Sequence, residues 1–171
     1  PNRAYPMLRS LVGSEMCIRD SSVAVDGSRW REHQDSVVAA VVHASGTIPV
    51  PGIKGNGYGL GPHILAREAM RLGADTIAVG TVFEVDDVAA DTQGDIVVLE
   101  PFDSVDRAAA AEWARLAERL HAGRVIRTIA TFDSLRSLTQ NSGSVRVILE
   151  ANTSMHRFGF RESELLTALS D

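Results

Sequence analysis

The sequence predicts an α/β protein that contains part of a (β/α)8 barrel of the TIM type. From residue 23 onward, strand-like segments alternate with segments of helical periodicity, which indicates βαβ units. Several strand segments, such as IVVL and VRVIL, are almost continuously apolar, as in parallel sheets covered on both faces. No GxGxxG turn follows the first strand, which disfavours an open dinucleotide-binding sheet. We therefore favour a barrel over an open doubly wound sheet.

Five strands are predicted, at residues 48–53, 76–80, 95–99, 125–130 and 145–150. The short run VAVD at 23–26 also has strand character. Pro51 cannot donate a hydrogen bond to a neighbouring strand, so we expect a local irregularity in the first of the five. A closed barrel needs eight strands and about 250 residues. The 171 residues are therefore expected to supply about five of the eight strands.

A segment with helical spacing of apolar residues lies before the first of these strands and after each of the five. The predicted helices cover residues 28–44, 62–72, 82–90, 104–121, 133–140 and 161–169. Pro62 suits a first helical turn and Gly73 suits a helix end, whereas Ser104 is expected to cap the long helix that follows it. The apolar stripe of the second helix comprises Ile64, Leu65, Ala69 and Leu72. The apolar face of the long helix comprises Ala109, Trp113, Leu116 and Leu120.

Residues 1–22 differ from the rest of the chain. They show neither strand nor helix periodicity, and the run SLVGSEMCIRDS is similar to translated sequencing-adaptor sequence. We expect a non-native or disordered leader here, with residues 23–171 forming the N-terminal part of the barrel. The only cysteine, Cys17, lies in this stretch, and a single cysteine excludes an intramolecular disulfide.

The composition of the chain argues against nucleic acids, membranes and metal ions as partners. The chain carries a net charge of −5 and contains 44% hydrophobic residues, which fits a globular protein and not a nucleic-acid binder. No apolar run reaches the length of a membrane-spanning helix. The lone cysteine gives no metal-ligand cluster, so we expect no metal. A reducing, cytoplasmic setting is expected.

The clearest candidate for chemistry is Lys54, which ends the first predicted strand. In a parallel barrel, functional groups collect at the carboxyl ends of strands. The residues that follow, GNGYGLG, form a turn through which backbone can approach a ligand. An amine held on a rigid strand suits imine chemistry with a carbonyl cofactor. The pattern alone also fits a surface lysine beside a flexible loop.

The segment IKGNGYGLG resembles the VKANAYGHG-type signature of the alanine racemase family, and AREAMRLGADTIAVGTVFEVDDV resembles the elements that follow it there. The resemblance implies a pyridoxal 5′-phosphate cofactor. It makes Lys54 the Schiff-base lysine and one of two catalytic acid/bases, and it places Tyr58 near the cofactor phosphate. Gly55 and Gly57 replace common alanines of the signature, and Leu60 replaces a common histidine.

The segment EANTSMHRFGF at 150–160 is similar to the family's KxDTGMxRxGF phrase after the fifth strand. This implies that Arg157 lies near the cofactor and the substrate carboxylate, and that Met155 lines the substrate pocket. Glu150 stands where many members have a lysine that is carbamylated in several of them. We hypothesise that the Glu150 carboxylate pairs with Arg157 in place of the carbamate.

Two further departures, Asn152 for aspartate and Ser154 for glycine, leave the substrate side chain open. His156 beside Arg157 is a weaker candidate, because neighbours in an extended segment point to opposite sides. Three histidines in helical segments or at their ends, His43, His63 and His121, are expected to face solvent.

The resemblance implies interconversion of L- and D-alanine by an enzyme that is a homodimer when complete. The family's last three strands, and a β domain that carries a catalytic tyrosine, have no counterpart here, so we expect this chain to be inactive and poorly soluble alone. Two alternatives stay open. One is a related pyridoxal phosphate barrel that acts on another amino acid. The other is a non-catalytic cofactor-binding remnant, or a module that assembles with a second chain.

Overall fold

The computed structural model describes residues 24–119, 121–139 and 145–170. Five parallel strands form one sheet in the order β1-β2-β3-β4-β5. The strands are β1 (Gly52–Ile53), β2 (Thr76–Val79), β3 (Asp95–Pro101), β4 (Val125–Ile129) and β5 (Arg146–Leu149). The predictions for residues 1–22, Cys17, Leu120 and Gln140 fall outside the described residues.

Helices connect consecutive strands, and 3-10 turns lie at Gly57–Gly59, Val82–Glu84 and Ala122–Arg124. The helices are α1 (Gly27–Ser45), α2 (Pro62–Arg71), α3 (Val85–Ala89), α4 (Arg107–Ala117), α5 (Phe132–Thr139) and α6 (Glu162–Ala168). Internal contacts divide the chain within α1, after Val37, and the whole sheet belongs to the second unit. Within the described ranges, no helix combines the length and the apolarity that a membrane crossing requires.

The order of the strands confirms the predicted fold class. Each strand pairs with the next strand of the sequence, so the sheet has none of the reversals of order that define a doubly wound fold. Parallel neighbours with a helix between them are the repeating unit of a β/α barrel. The protein is therefore an α/β protein with five barrel strands in the described part of the chain.

The two faces of the sheet bury different sets of side chains. On the face toward the helices, strand residues such as Ile77, Ile96 and Val125 pack with Trp113 and Leu116 of α4. On the opposite face, Ala78, Val97 and Ile126 are aligned in register and form a separate small cluster. Apolar residues at consecutive strand positions are needed for this arrangement, which explains the continuous runs in the sequence.

The predicted irregularity at Pro51 is confirmed. The ladder of β1 extends over only two residues, Gly52 and Ile53, although six residues have strand character. Proline has no N–H, but its carbonyl still accepts a hydrogen bond of 2.9 Å from Ala78 N. The strand that precedes Lys54 is therefore held by few ladder bonds.

The predicted strand of the N-terminal region is wrong, and the predicted apolar stripe of α2 is wrong at Ile64. No strand forms at 24–26, because the Asp26 carboxylate accepts from Ser28 N (3.1 Å) and Arg29 N (3.2 Å) and so caps α1. On α2, Ile64 is exposed, whereas Ala66 and Ala69 are buried. Ala69 belongs to the predicted stripe, Leu65 packs against the core and Leu72 is half-buried, so the stripe is confirmed at these three residues.

The expected cap of α4 is also wrong. Asp106, not Ser104, caps the helix: its carboxylate accepts from Ala108 N (2.9 Å) and Ala109 N (3.0 Å). A carboxylate that accepts two helix N–H groups is a stronger cap than a serine placed further upstream. The helix ends at Ala117, earlier than predicted.

Candidate active site

The carboxyl ends of the five strands lie at one edge of the sheet, because all five are parallel. Lys54 follows β1 directly, and Glu150 follows β5 directly. The strands β1 and β5 are the two outermost strands of the described sheet. The two motifs singled out in the sequence therefore lie at the same edge of the sheet, one after the first strand and the other after the last.

The turn after Lys54 is built from left-handed residues. Positive φ angles occur at four glycines, Gly55, Gly57, Gly59 and Gly61. Tyr58 also adopts φ 55°, which is uncommon for a residue with a side chain. The Lys54 carbonyl accepts from Gly57 N at 3.3 Å, which closes the turn. Lys54 is exposed and the Tyr58 side chain is fully exposed, so the turn presents both groups outward.

Gly57 shows why this turn departs from the alanine of the family signature. Its φ is 52°, and a Cβ built on it lies 2.2 Å from Leu65 Cδ1 of α2. An alanine here requires both a strained backbone and a shift of the leucine. Packing of α2 against the turn thus accounts for one of the two glycine substitutions.

Sequence reasoning missed Glu84, which joins the ends of β1 and β2. Glu84 Oε1 accepts from Gly55 N at 2.5 Å, and Oε2 accepts from Gly80 N at 2.7 Å and from Thr81 N at 2.9 Å. The spacing of Thr81 and Glu84 is that of a capping box. That spacing was the available signal, but it indicates only the local bond to Thr81, not the reach to the turn after Lys54.

The second motif forms a closed loop from Glu150 to Phe160. Asn152 N donates to Phe160 O at 2.8 Å, and Phe160 N donates to Glu150 O at 2.8 Å. Glu150 N in turn donates to Ile129 O at the end of β4, also at 2.8 Å. The base of the loop is thus a continuation of the sheet, and it presents residues 153–158 away from it as exposed side chains.

Gly159 allows the loop to close. Its φ is 105°, and a Cβ at this position lies 2.6 Å from backbone atoms of Glu150, Ala151 and Asn152. No flexible side chain is involved, so only glycine fits. The glycine of the RFGF sequence is therefore a structural requirement of the loop.

Arg157 and Met155 both lie on the outer part of this loop. Arg157 Nη2 is 3.9 Å from Met155 Sδ, a weak contact, and both residues are exposed. His156, between them, has φ 48°, and its N–H donates to Thr153 O at 3.0 Å. The segment is a turn here, so the argument from an extended chain does not apply to His156.

Glu150 has an unusual environment for a carboxylate. Its Oε2 is buried and has no hydrogen-bond partner within the described ranges. Arg157 does not lie within ion-pair distance of Glu150 in this part of the structure, and the proposed pairing of the two stays a prediction. A buried carboxylate oxygen without a donor is costly, so this atom is a candidate to receive a donor in an assembled site.

Among the other histidines, His43 is exposed, as predicted. His63 is also exposed, although its Nδ1 lies 2.7 Å from Asp91 Oδ2. The prediction for His121 is wrong: only 18% of its side chain is exposed, and Nε2 lies 3.1 Å from Asp86 Oδ1. His121 immediately precedes the 3-10 turn that leads into β4, and its ring lies beside Asp86 of α3.

The loop from Glu150 to Phe160, which carries Arg157, is called the arginine loop. The five parallel strands follow barrel order, with Lys54 at the carboxyl end of the first and the arginine loop after the fifth. The chain is therefore part of a β/α-barrel protein, with its candidate site at the edge formed by the carboxyl ends of the strands. The chain belongs to the family described as alanine racemase, N-terminal domain, whose sequence model matches residues 25–171. The resemblance seen in the two motifs is thereby confirmed. A comparison with curated protein sequences gives no match.

Three crystal structures share the fold. An alanine racemase from Oenococcus oeni is 23% identical, with a TM-score of 0.63 over 82% of this chain and 39% of that one. A biosynthetic alanine racemase from Pseudomonas aeruginosa is 24% identical, with a TM-score of 0.62 over 81% and 36%. An alanine racemase from E. faecalis is 23% identical, with a TM-score of 0.58 over 80% and 37%. The chain thus spans less than two-fifths of the length of these structures.

Proposed function

We propose that this chain is the N-terminal barrel part of a pyridoxal 5′-phosphate-dependent amino-acid racemase, with alanine as the substrate. The observation that carries the proposal is the placement of its two motifs. Lys54 follows the first strand and the arginine loop follows the fifth. Strands one and five face each other across an eight-stranded barrel. The lysine and the arginine loop then flank a single central site.

The residues fit such a cofactor in three respects. Lys54 has an exposed side chain on a turn that is tied to two strand ends, as an amine that binds an aldehyde requires. Among the described residues, none donates to the buried Glu150 Oε2, which fits a site that is completed by another charged group. The turn after Lys54 holds Tyr58 outward, where its hydroxyl can meet a phosphate.

In this proposal Lys54 has two roles. Its Nζ holds the cofactor aldehyde, and when released it takes the α-proton of the amino acid from one face or returns it there. The cofactor, when bound, supplies the electron sink for the α-carbon. The planar guanidinium of Arg157 holds the substrate carboxylate, with Met155 beside it, and the Glu150 carboxylate orients Arg157.

Racemisation also requires a proton donor on the opposite face of the α-carbon. We propose that the complete protein supplies this group as a homodimer, and that residues 23–171 are one part of its barrel domain. Residues 1–22 are proposed to be a leader outside that domain. A complete barrel also gives neighbours to the outermost strands β1 and β5, whose outer edges the described residues leave unpaired.

The test uses the fact that Lys54 is the only lysine of the 171 residues. The full-length protein is incubated with pyridoxal phosphate, reduced with borohydride and digested, and the modified peptide is identified by mass spectrometry. We expect the reduced cofactor on Lys54, its loss in Lys54→Arg, and conversion of L-alanine to D-alanine by the wild type. Trapping on other lysines with none on Lys54 would contradict the proposed role.

A further inference from the structure

We infer that Glu84 is the positioning residue for Lys54: its carboxylate fixes the peptide group after the lysine to the end of β2. The inference rests on the proposed function, in which Lys54 holds the cofactor. Glu84 lies in the 3-10 turn after β2 and belongs to neither motif that the sequence singled out.

By itself, β1 holds Lys54 only weakly. The ladder between β1 and β2 pairs only Gly52 with Ala78 and Ile53 with Val79, and Lys54 lies beyond it. Four of the next five residues, 55–59, have positive φ, and three of these four are glycines. A glycine-rich turn can adopt many backbone conformations, so the turn does not fix its own geometry. Another contact is needed to define the direction in which the lysine leaves the strand.

The peptide group that joins Lys54 to Gly55 is hydrogen-bonded on both sides. Its N–H donates to Glu84 Oε1 at 2.5 Å, and its carbonyl oxygen accepts from Gly57 N at 3.3 Å. Both polar atoms of this planar group are therefore bonded, and the plane is fixed relative to the sheet. Since this plane follows the Lys54 Cα directly, its orientation helps to set the direction of the side chain.

The other oxygen of the Glu84 carboxylate binds the end of β2. Glu84 Oε2 accepts from Gly80 N at 2.7 Å and from Thr81 N at 2.9 Å, where β2 has just ended. Hydrogen bonds to an ionised acceptor are the stronger class, and here three converge on one side chain. One carboxylate thus joins the turn after Lys54 to the end of the neighbouring strand.

Gly80 provides the space for this arrangement. A Cβ at Gly80 lies 2.8 Å from Glu84 Oε2 and 3.2 Å from Lys54 Cβ. The carboxylate and the base of the lysine side chain therefore both lie against the bare Cα of Gly80. An added methyl group must displace one of them.

The test compares Glu84→Gln with Glu164→Gln in the full-length protein. A glutamine side chain has one acceptor oxygen, and an NH2 group replaces the second carboxylate oxygen. The NH2 group is a donor, so it cannot accept a hydrogen bond from the backbone N–H that faces it. The single oxygen of the glutamine cannot serve both sides, so we expect Glu84→Gln to keep the two bonds to Gly80 and Thr81 and to lose the one to Gly55. Glu164 is a matched control, because its Oε2 accepts from Arg161 N at 2.8 Å as a helix-capping bond without reaching another strand.

Three quantities are measured: amide hydrogen exchange at Gly55 without cofactor, the dissociation constant of pyridoxal phosphate, and the rate of borohydride-trapped labelling of Lys54. We expect Glu84→Gln to accelerate exchange at Gly55 about tenfold and to weaken cofactor binding by a similar factor. Glu164→Gln is expected to leave both near the wild-type values. Equal behaviour of the two variants in exchange and binding overturns the inference.

The second variant, Gly80→Ala, tests the same contact while leaving the Glu84 carboxylate in place. We expect it to slow labelling of Lys54 and to release the Gly55 amide, because the methyl group displaces the lysine stem or Glu84. Unchanged exchange and labelling also overturn the inference. If the wild type binds no cofactor at Lys54, the proposed function fails, and Gly55 exchange in the cofactor-free variants still decides whether Glu84 fixes the turn.

Discussion

The ring of Phe160 meets the ring of Phe132 edge to face, with centroids 5.1 Å apart and an interplanar angle of 73°. Phe160 ends the arginine loop and is 2% exposed, whereas Phe132 begins α5. This contact anchors the loop that carries Arg157 to the helix that precedes its own strand. A core contact is therefore part of what positions an exposed candidate for substrate binding.

Replacement of this buried ring tests the anchor. Phe160→Ala is expected to lower the free energy of unfolding of the full-length protein by about 3–5 kcal/mol, because it removes a fully buried aromatic side chain. Phe158→Ala is the control, since that ring is 56% exposed on the same loop, and a change below about 1 kcal/mol is expected for it. Denaturant unfolding measures both, and equal losses would show that the anchor lies elsewhere.

Gly159→Ala tests the closure of the loop. An alanine here combines a positive φ with contacts of 2.6 Å to backbone atoms, so a loss of about 2 kcal/mol or more is expected. Gly123→Ala is the matched variant, because no heavy atom of the described residues lies within 4 Å of a Cβ added at Gly123, and its φ is not positive. Thermal unfolding distinguishes them, and a neutral Gly159→Ala contradicts the loop geometry described above.

Glu150→Gln separates stability from activity. The variant keeps the size of the side chain and removes the charge from a carboxylate whose Oε2 has no donor in the described part of the chain, so stability is expected to stay equal or to rise. In the full-length protein, turnover of alanine is expected to fall because Arg157 loses its proposed counter-charge. Kinetics and thermal unfolding are measured together. Unchanged substrate affinity and turnover would falsify the pairing of Glu150 with Arg157.

Asp86 gives a prediction for acid stability. The hydrogen bond from Arg115, which outweighs partial burial, lowers the pKa of Asp86 below its ordinary value of 3.8. A carboxyl whose folded pKa is lowered stabilises the folded state at pH values above the unfolded pKa. This contribution is lost as the pH falls from about 4 through the lowered folded pKa. Asp86→Asn is therefore expected to be less stable than the wild type at pH 7 and to lose less stability on acidification.

Urea unfolding at a series of pH values below 7 measures this difference. Asp133→Asn is the control, because the Asp133 side chain is 95% exposed and its ion pair with Arg136 contributes little. Parallel pH curves for Asp86→Asn and the wild type contradict the role of the Arg115 bond.

The positions of β2 to β5 and the fold class followed from the sequence because hydrophobic patterning is a local property, whereas only two of the six residues predicted for the first strand lie in β1. The apolar stretch at 96–98 could hardly be anything but a buried strand, and the structure buries all three of its residues. Helix ends were less certain, since several nearby polar residues compete for the same N–H groups. Asp103, Ser104 and Asp106 all precede α4, and only the geometry of the chain decides among them.

The residues of the candidate site also fall into two groups: those that lie in local sequence motifs and those that are recognised only by their contacts in the folded chain. Lys54 and Arg157 lie in motifs that are contiguous in sequence, so both were found there. Glu84 acts on Gly55 across 29 residues, and Glu150 is notable only for a buried oxygen atom. Contacts of this kind depend on which strand ends meet, and a single sequence does not encode them as a local pattern.

The consecutive order of the strands has a consequence for how the protein is made. Each new strand pairs with the strand that was synthesised just before it. No segment synthesised later has to insert between β1 and β5. The sheet can grow one βα unit at a time during translation, so the lysine turn and its Glu84 contact can form well before the arginine loop is synthesised.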